Sequence, residues 1–187
     1  MKAGDSAFNT ISVVGLGYIG LPTAATLATR GVEVIGVDVS ARVVNRLNEG
    51  KAHFSEPDLD MLLDAAVMTG KLRAVLEPVP ADAFIIAVPT PFHDDKSADL
   101  SYVEAASRSI AKVLRKGNLV ILESTSPVGT TRKMCDWIRD ERPDLTPPLD
   151  GAAGDFHVAY CPERILPGRM VFELVENDRI IGGLSDA

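Results

Sequence analysis

Cysteine, aromatic residues and positive charge are all in short supply in this sequence, and each shortage closes off a class of protein. Two cysteines, Cys135 and Cys161, form neither a CxxC pair nor a disulfide framework, so a reducing cytoplasm is the expected compartment. Nineteen Lys and Arg against 26 Asp and Glu leave a net charge of −7, which argues against a nucleic-acid groove or an anionic membrane face as partner. A local anion site survives that argument, because backbone N–H groups at a helix start bind phosphate without net positive charge. The Met1–Asp5 stretch lacks the basic start and apolar core of a secretory leader. Phe8–Thr29 carries no charge and is long enough for a membrane helix, but Gly15, Gly17, Gly20 and Pro22 interrupt it. It reads as strand, turn and buried helix, and no membrane partner is expected.

What is present is an alternation. At 187 residues, with 46% hydrophobic and 24% charged residues, the chain suits one soluble domain spanning 1–187. Ile11–Gly15 is a short β-branched run, and Tyr18–Arg30 has helical spacing and stops at Gly31. Glu33–Val37 is a strand ending at Asp38. Ser40 is placed to cap a helix running toward Asn48 and closed by Gly50. Pro57–Met68 is helical, and Ala83–Val88 is a continuous apolar run that suits a buried parallel strand. Tyr102–Leu114 is amphipathic, Asn118–Leu122 is another buried strand, and a helix is expected near Thr130–Arg139. A proline- and glycine-rich loop, Pro143–Asp155, precedes strand Phe156–Tyr160, and Arg179–Ile181 reads as a last short strand. Such alternation predicts a parallel, doubly wound α/β sheet with helices on both faces.

The strongest motif is Gly15-Leu16-Gly17-Tyr18-Ile19-Gly20. It follows a predicted strand and opens a predicted helix, the context in which GxGxxG marks a dinucleotide site of the Rossmann type. Gly15 permits the tight turn, Gly17 leaves room for a pyrophosphate, and Gly20 lets helix and strand pack closely. Tyr18 and Ile19 complete the loop. Asp38 falls 18 residues past Gly20, near the ~20 expected for an acid that accepts ribose hydroxyls and repels a 2′-phosphate. NAD is therefore expected over NADP, with nearby Arg42 softening the preference.

Other candidates stand where strands end, the edge at which open α/β sheets bind ligands. Pro89-Thr90-Pro91 follows the Ala83–Val88 run, Ser124-Thr125-Ser126-Pro127 follows Leu122, and Cys161-Pro162-Glu163-Arg164 follows Tyr160. Pattern alone leaves bland readings open. Thr90 also fits a polar turn between prolines, Ser124 or Thr125 also fits a helix cap, and Glu163 also fits a solvated loop acid. Cys161 has no neighbouring histidine and matches a small buried cysteine better than a nucleophile. No metal site is expected.

Several stretches resemble the UDP-glucose/GDP-mannose dehydrogenase family: Val13 to Pro22, Glu56-Pro57-Asp58-Leu59, Val88-Pro89-Thr90-Pro91, Ser124 to Thr131, and Cys161-Pro162-Glu163. The likeness runs in order along essentially the whole chain. Pro162 to Gly168, followed by Asn177 to Gly183, is similar to the branch acting on UDP-2-acetamido sugars, with the N-acetyl-D-mannosamine derivative as the expected substrate and the N-acetylglucosamine epimer as an alternative.

The resemblance implies oxidation of the sugar C6 alcohol to a carboxylate with two NAD, through a thioester on a cysteine. It places Thr125 beside the nicotinamide and the reacting centre, and Thr90, Pro89 and Ser124 along the cofactor cleft. Glu163 would place or activate the hydrolytic water, and Arg164, Ile165 and Leu166 would lie toward the sugar. The family's catalytic lysine, asparagine and cysteine, and the central helix that builds its homodimer, would follow this stretch. The chain alone is thus expected to bind NAD and to turn over no sugar. The competing expectations are the cofactor domain of a β-hydroxyacid dehydrogenase, against which the Glu56-Pro57 and Cys161-Pro162-Glu163 motifs speak, and a stand-alone NAD-sensing module.

Overall fold

A computed structural model describes residues 8–185. The Met1–Asp5 stretch, which bore on targeting, lies outside them. Seven strands form one sheet: β1 (Thr10–Val14), β2 (Glu33–Val37), β3 (Leu72–Val75), β4 (Ala83–Ile86), β5 (Leu119–Leu122), β6 (His157–Tyr160) and β7 (Gly182–Gly183). Their order is β3-β2-β1-β4-β5-β6-β7. All pairings are parallel except β6 with β7. The expected doubly wound parallel sheet is present, with one antiparallel edge added.

Helices α1 (Gly20–Thr29), α2 (Ala41–Asn48) and α3 (Leu59–Met68) link β1, β2 and β3. Helices α4 (Ser101–Ala111) and α5 (Thr130–Glu141) link β4, β5 and β6, and α6 (Met170–Glu176) precedes β7. Two apolar cores result, one on each face of the sheet. Phe84 and Ile86 of β4 join Val103, Ile110, Leu122, Met134 and Phe156 in the first, while Ile85 joins Val13, Leu16, Leu21, Leu59 and Leu63 in the second. Successive β4 side chains thus enter opposite cores, which is why that strand reads as an unbroken apolar run and not as an alternation.

The chain switches faces between β3 and β4, so strand order reverses at β1. The carboxyl ends of β1 and β4 diverge there into the crevice where doubly wound sheets take ligands. Two elements escaped the sequence reading, β3 and α6. A third moved: pairing begins at Gly182, not across Arg179–Ile181, because Arg179 turns its side chain in toward the sheet edge. Among the described residues no helix is long and apolar enough to cross a membrane.

Candidate functional site

At the end of β1 the chain turns through Gly15, whose φ of 90° is a left-handed conformation, and the Gly15 N–H donates to Val37 O at 2.8 Å. A Cβ on Gly15 would lie 2.6 Å from Ala87 O, and one on Gly20 would lie 1.8 Å from Gly15 O. Both positions are closed to any side chain. Gly17 is the reverse case, since a Cβ there would meet no atom within 4 Å. Two glycines therefore shape the turn, and the one between them keeps a flank open toward the crevice.

Asp38, just past β2, ties this turn in place. Its Oδ2 accepts the Leu16 N–H at 3.0 Å and its Oδ1 accepts the Ser40 N–H at 2.9 Å. Each oxygen keeps a further lone pair for an incoming hydroxyl donor. Ser40 sits at the start of α2 as expected but makes no side-chain cap; the local hydrogen bond comes from Asp38 instead.

The segment from Lys51 to Pro57 folds over the same corner; the sequence reading singled out its Glu56-Pro57 but not His53 or Phe54. Tyr18, 57% exposed, stacks on Phe54 with ring centroids 4.3 Å apart, and His53 meets Phe54 edge-on at 4.9 Å. Burial holds the His53 pKa below its ordinary value; Asp38 pulls it back up, and Arg42 and Arg46 press it further down. Arg42 itself is exposed on α2, within electrostatic reach of the Asp38 corner. Glu56 then reaches away from this corner, accepting the Gly168 N–H at 2.9 Å and the Met170 N–H at 2.8 Å.

Across the crevice the ends of β4 and β5 are strapped together. The Thr90 hydroxyl donates to Thr125 O at 2.6 Å, and the buried Ser124 hydroxyl donates to Val88 O at 2.7 Å. Thr90 is therefore more than a turn residue. Ser124 and Thr125 do not cap the next helix, which starts at Thr130 with Gly129 at its N-cap. Pro89 and Thr125 are exposed at the rim.

Beyond β6 the side chain of Glu163 is only 5% exposed, which overturns its reading as a solvated loop acid. Its Oε1 accepts the Arg164 N–H at 2.7 Å, and its Oε2 lies 2.5 Å from an Arg179 nitrogen, a charge contact without hydrogen-bond alignment. Arg164 is exposed, and its guanidinium donates to Asp178 O at 3.0 Å. Ile165 is partly buried, and Leu166 is 63% exposed with its N–H held by Glu173 at 2.9 Å.

A second acid stands beside Glu163, and the sequence reading passed over it. Glu123 follows β5 directly, is 4% exposed, accepts from Arg179 at 2.9 Å and lies 3.5 Å from the Thr23 hydroxyl. Burial pushes its pKa up to about 7, opposed by Arg179 and reinforced by Glu163. Glu123, Cys161 and Arg179 line a cavity of about 310 Å³ whose apolar wall includes Ile85, Ile121 and Leu174. Cys161 and Cys135 are both buried, and burial raises the Cys135 thiol to about 12, so Cys135 is no nucleophile at neutral pH. Among the described residues no cluster of three or more His, Cys, Asp or Glu is placed to hold a metal ion.

The sequence model described as UDP-glucose/GDP-mannose dehydrogenase family, NAD binding domain, matches residues 9–187. The chain is 62% identical over 185 residues to an NDP-N-acetyl-D-galactosaminuronic acid dehydrogenase of Ralstonia nicotianae, covering 98% of this chain and 44% of that protein. It is 57% identical over 180 residues to UDP-N-acetyl-D-mannosamine dehydrogenase of Escherichia coli, covering 96% of this chain and 43% of that protein. The structure superposes on a UDP-D-ManNAc dehydrogenase from Pyrococcus horikoshii with a TM-score of 0.88 at 44% identity, over 95% of this chain and 41% of that one. The chain belongs to the UDP-glucose/GDP-mannose dehydrogenase family and is an NAD-binding domain of it. It spans under half the length of the curated relatives it matches.

Proposed function

We propose that this chain holds NAD across the β1/β4 crevice on behalf of an enzyme that oxidises the C6 alcohol of a UDP-2-acetamido sugar to a carboxylate. The observation that carries the cofactor half is the contrast among the three glycines: Gly15 and Gly20 are closed by backbone oxygens, whereas Gly17 has an open flank beside the Asp38 carboxylate. A pyrophosphate would pass over Gly17, the adenosine ribose would donate to Asp38, and the nicotinamide would reach the Thr90–Thr125 strap. Bound NAD supplies a hydride acceptor, and two equivalents carry an alcohol to an acid. Glu163 and Thr125 would face the reacting carbon, with Arg164, Ile165 and Leu166 toward the sugar.

The 2-acetamido class is supported by the names of the relatives in Ralstonia nicotianae and Escherichia coli, which agree on such a sugar and differ in its identity. We take the N-acetyl-D-mannosamine derivative as the substrate. The whole span is proposed as one cofactor domain working in the cytoplasm, completed in the enzyme by a homodimer-forming region and a catalytic cysteine outside this stretch.

Calorimetric titration of the chain with NAD⁺ and NADP⁺, beside an Asp38→Ala variant, tests the cofactor half. NAD⁺ is expected to bind at least about tenfold more tightly than NADP⁺, a difference near 1.4 kcal/mol, and the preference should vanish in the variant. Equal binding of both dinucleotides by the parent would contradict the assignment of Asp38. Sustained NADH formation by this chain alone with UDP-N-acetyl-D-mannosamine would contradict the dependence on a cysteine elsewhere.

A further inference from the structure

The carboxyl ends of β5 and β6 carry two acids, Glu123 and Glu163, whose side chains are 4% and 5% exposed. Two like charges so thoroughly removed from water and so close together are unfavourable unless a cation joins them. Arg179 is that cation. One terminal nitrogen lies 2.9 Å from Glu123 and the other 2.5 Å from Glu163, so a single planar guanidinium spans the two strand ends. A planar fork suits this by offering a separate nitrogen to each acid, whereas a lysine ammonium has one nitrogen to share between them.

The surroundings set the two acids apart. Glu123 points into the cavity toward α1, with Thr23 as its remaining partner and Arg30 and Cys161 on the same walls. Glu163 is held from its other side by the N–H of Arg164, the residue that starts the segment proposed to face the sugar. One cation thus serves two acids, one from each strand end.

We propose that Arg179 is a positioning residue: anchored on Glu123, it fixes the carboxylate of Glu163 in one orientation at the carboxyl edge of the sheet. The importance of that orientation rests on the reading of Glu163 as the acid facing the sugar; the clasp itself does not. Asn177 to Gly183 thereby gains a role that the sequence pattern alone did not suggest, since its arginine is turned inward and strand pairing begins only three residues later.

Carbon-13 NMR of the glutamate side chains in this chain, with Arg179→Gln and Arg179→Lys, tests the clasp. In the parent, three-bond couplings should show Glu163 in a single side-chain rotamer, because Arg179 holds it. Arg179→Gln should release that rotamer and raise the Glu123 midpoint, since the cation that opposes the effect of burial is lost. Arg179→Lys keeps the charge but not the planar fork, so the Glu163 rotamer should be released there too while the Glu123 midpoint rises less. A Glu163 side chain that keeps its single rotamer in both variants would overturn the proposal.

The functional reading is tested separately by UDP-N-acetyl-D-mannosamine affinity in the presence of NAD. Glu163→Gln is expected to weaken it about tenfold, as for loss of a charged hydrogen bond. Arg179→Gln should do the same, and the double variant should lose no more than either alone. Additive losses would show Arg179 acting elsewhere and overturn the positioning role. An intact clasp with no effect of Glu163→Gln would support the clasp and reject only the sugar-facing role of Glu163.

Discussion

Gly17→Ala should leave the stability of the domain unchanged within about 0.5 kcal/mol while cutting NAD affinity about tenfold, whereas Gly20→Ala should destabilise the domain itself. The two substitutions add the same methyl group three residues apart on one turn. At Gly17 the methyl meets nothing of the protein, so the folded state has no reason to object; it occupies only the path along which a pyrophosphate would approach the backbone. At Gly20 it would sit 1.8 Å from Gly15 O, far inside van der Waals contact with a backbone atom that cannot rotate away. Either α1 shifts off β1, breaking the packing of Leu21, Ala24 and Ala25, or the turn at Gly15 opens. Overpacking of a rigid site costs up to about 3 kcal/mol, which for a domain of this size lowers the thermal midpoint by roughly 6–12 °C. Thermal melts and calorimetry on the same two variants decide the matter. A Gly17→Ala protein that binds NAD like its parent would remove the pyrophosphate from this turn. A Gly20→Ala protein that melts like its parent would mean that helix and strand are not in such close contact.

That contrast was partly legible in advance, because the roles of the three glycines follow from the spacing of the turn itself. So did most of the sheet: Ala83–Ile86, buried on both faces, and Leu119–Leu122, buried on one face and partly buried on the other, announce themselves as apolar runs. The two missed elements had weaker signatures. β3 holds four residues, with Arg73 exposed on one face, and follows a helix whose last turn runs almost into it. α6 is seven residues long and enters directly from Pro167-Gly168, too short for helical periodicity to emerge. The site divides along the same line. Gly15, Asp38, Thr90 and Ser124 were legible because each stands at a strand end, where the fold dictates what it can face. Glu123 also stands at a strand end, but its meaning depends on Arg179, 56 residues away, just as that of Glu56 depends on Gly168, 112 residues away. Side-chain partnerships across such separations leave no local periodicity. Tyr18 was readable as part of the turn, yet its stacking on Phe54 was not, for the same reason.

The buried acid gives the second large effect: the domain should lose stability as pH rises from about 4.5 to about 7, and Glu123→Gln should remove most of that loss. The sign follows from where the proton is held. In the folded chain burial raises the Glu123 pKa to about 7, while in the unfolded chain the carboxyl returns to its ordinary value near 4.5. Between those values the folded state retains a proton that the unfolded state releases, so each step up in pH favours unfolding. The favourable contribution is complete below about 4.5 and gone above about 7, a span worth about 3 kcal/mol at most. Glutamine copies the shape of the protonated acid and can still accept from Arg179, but it does not titrate. Parent and variant should therefore melt together near pH 4.5 and diverge by roughly 6–12 °C at pH 8, with the variant the more stable. The carboxylates Asp95, Asp99, Asp144, Asp150 and Asp155 are shifted down by their hydrogen bonds and ion pairs, and they act in the opposite direction at lower pH. Because they are common to both proteins, the difference between the two melting curves isolates Glu123. A variant that stays parallel to its parent from pH 4.5 to 8 would mean that Glu123 is ionised throughout, with Arg179 and Thr23 fully offsetting its burial.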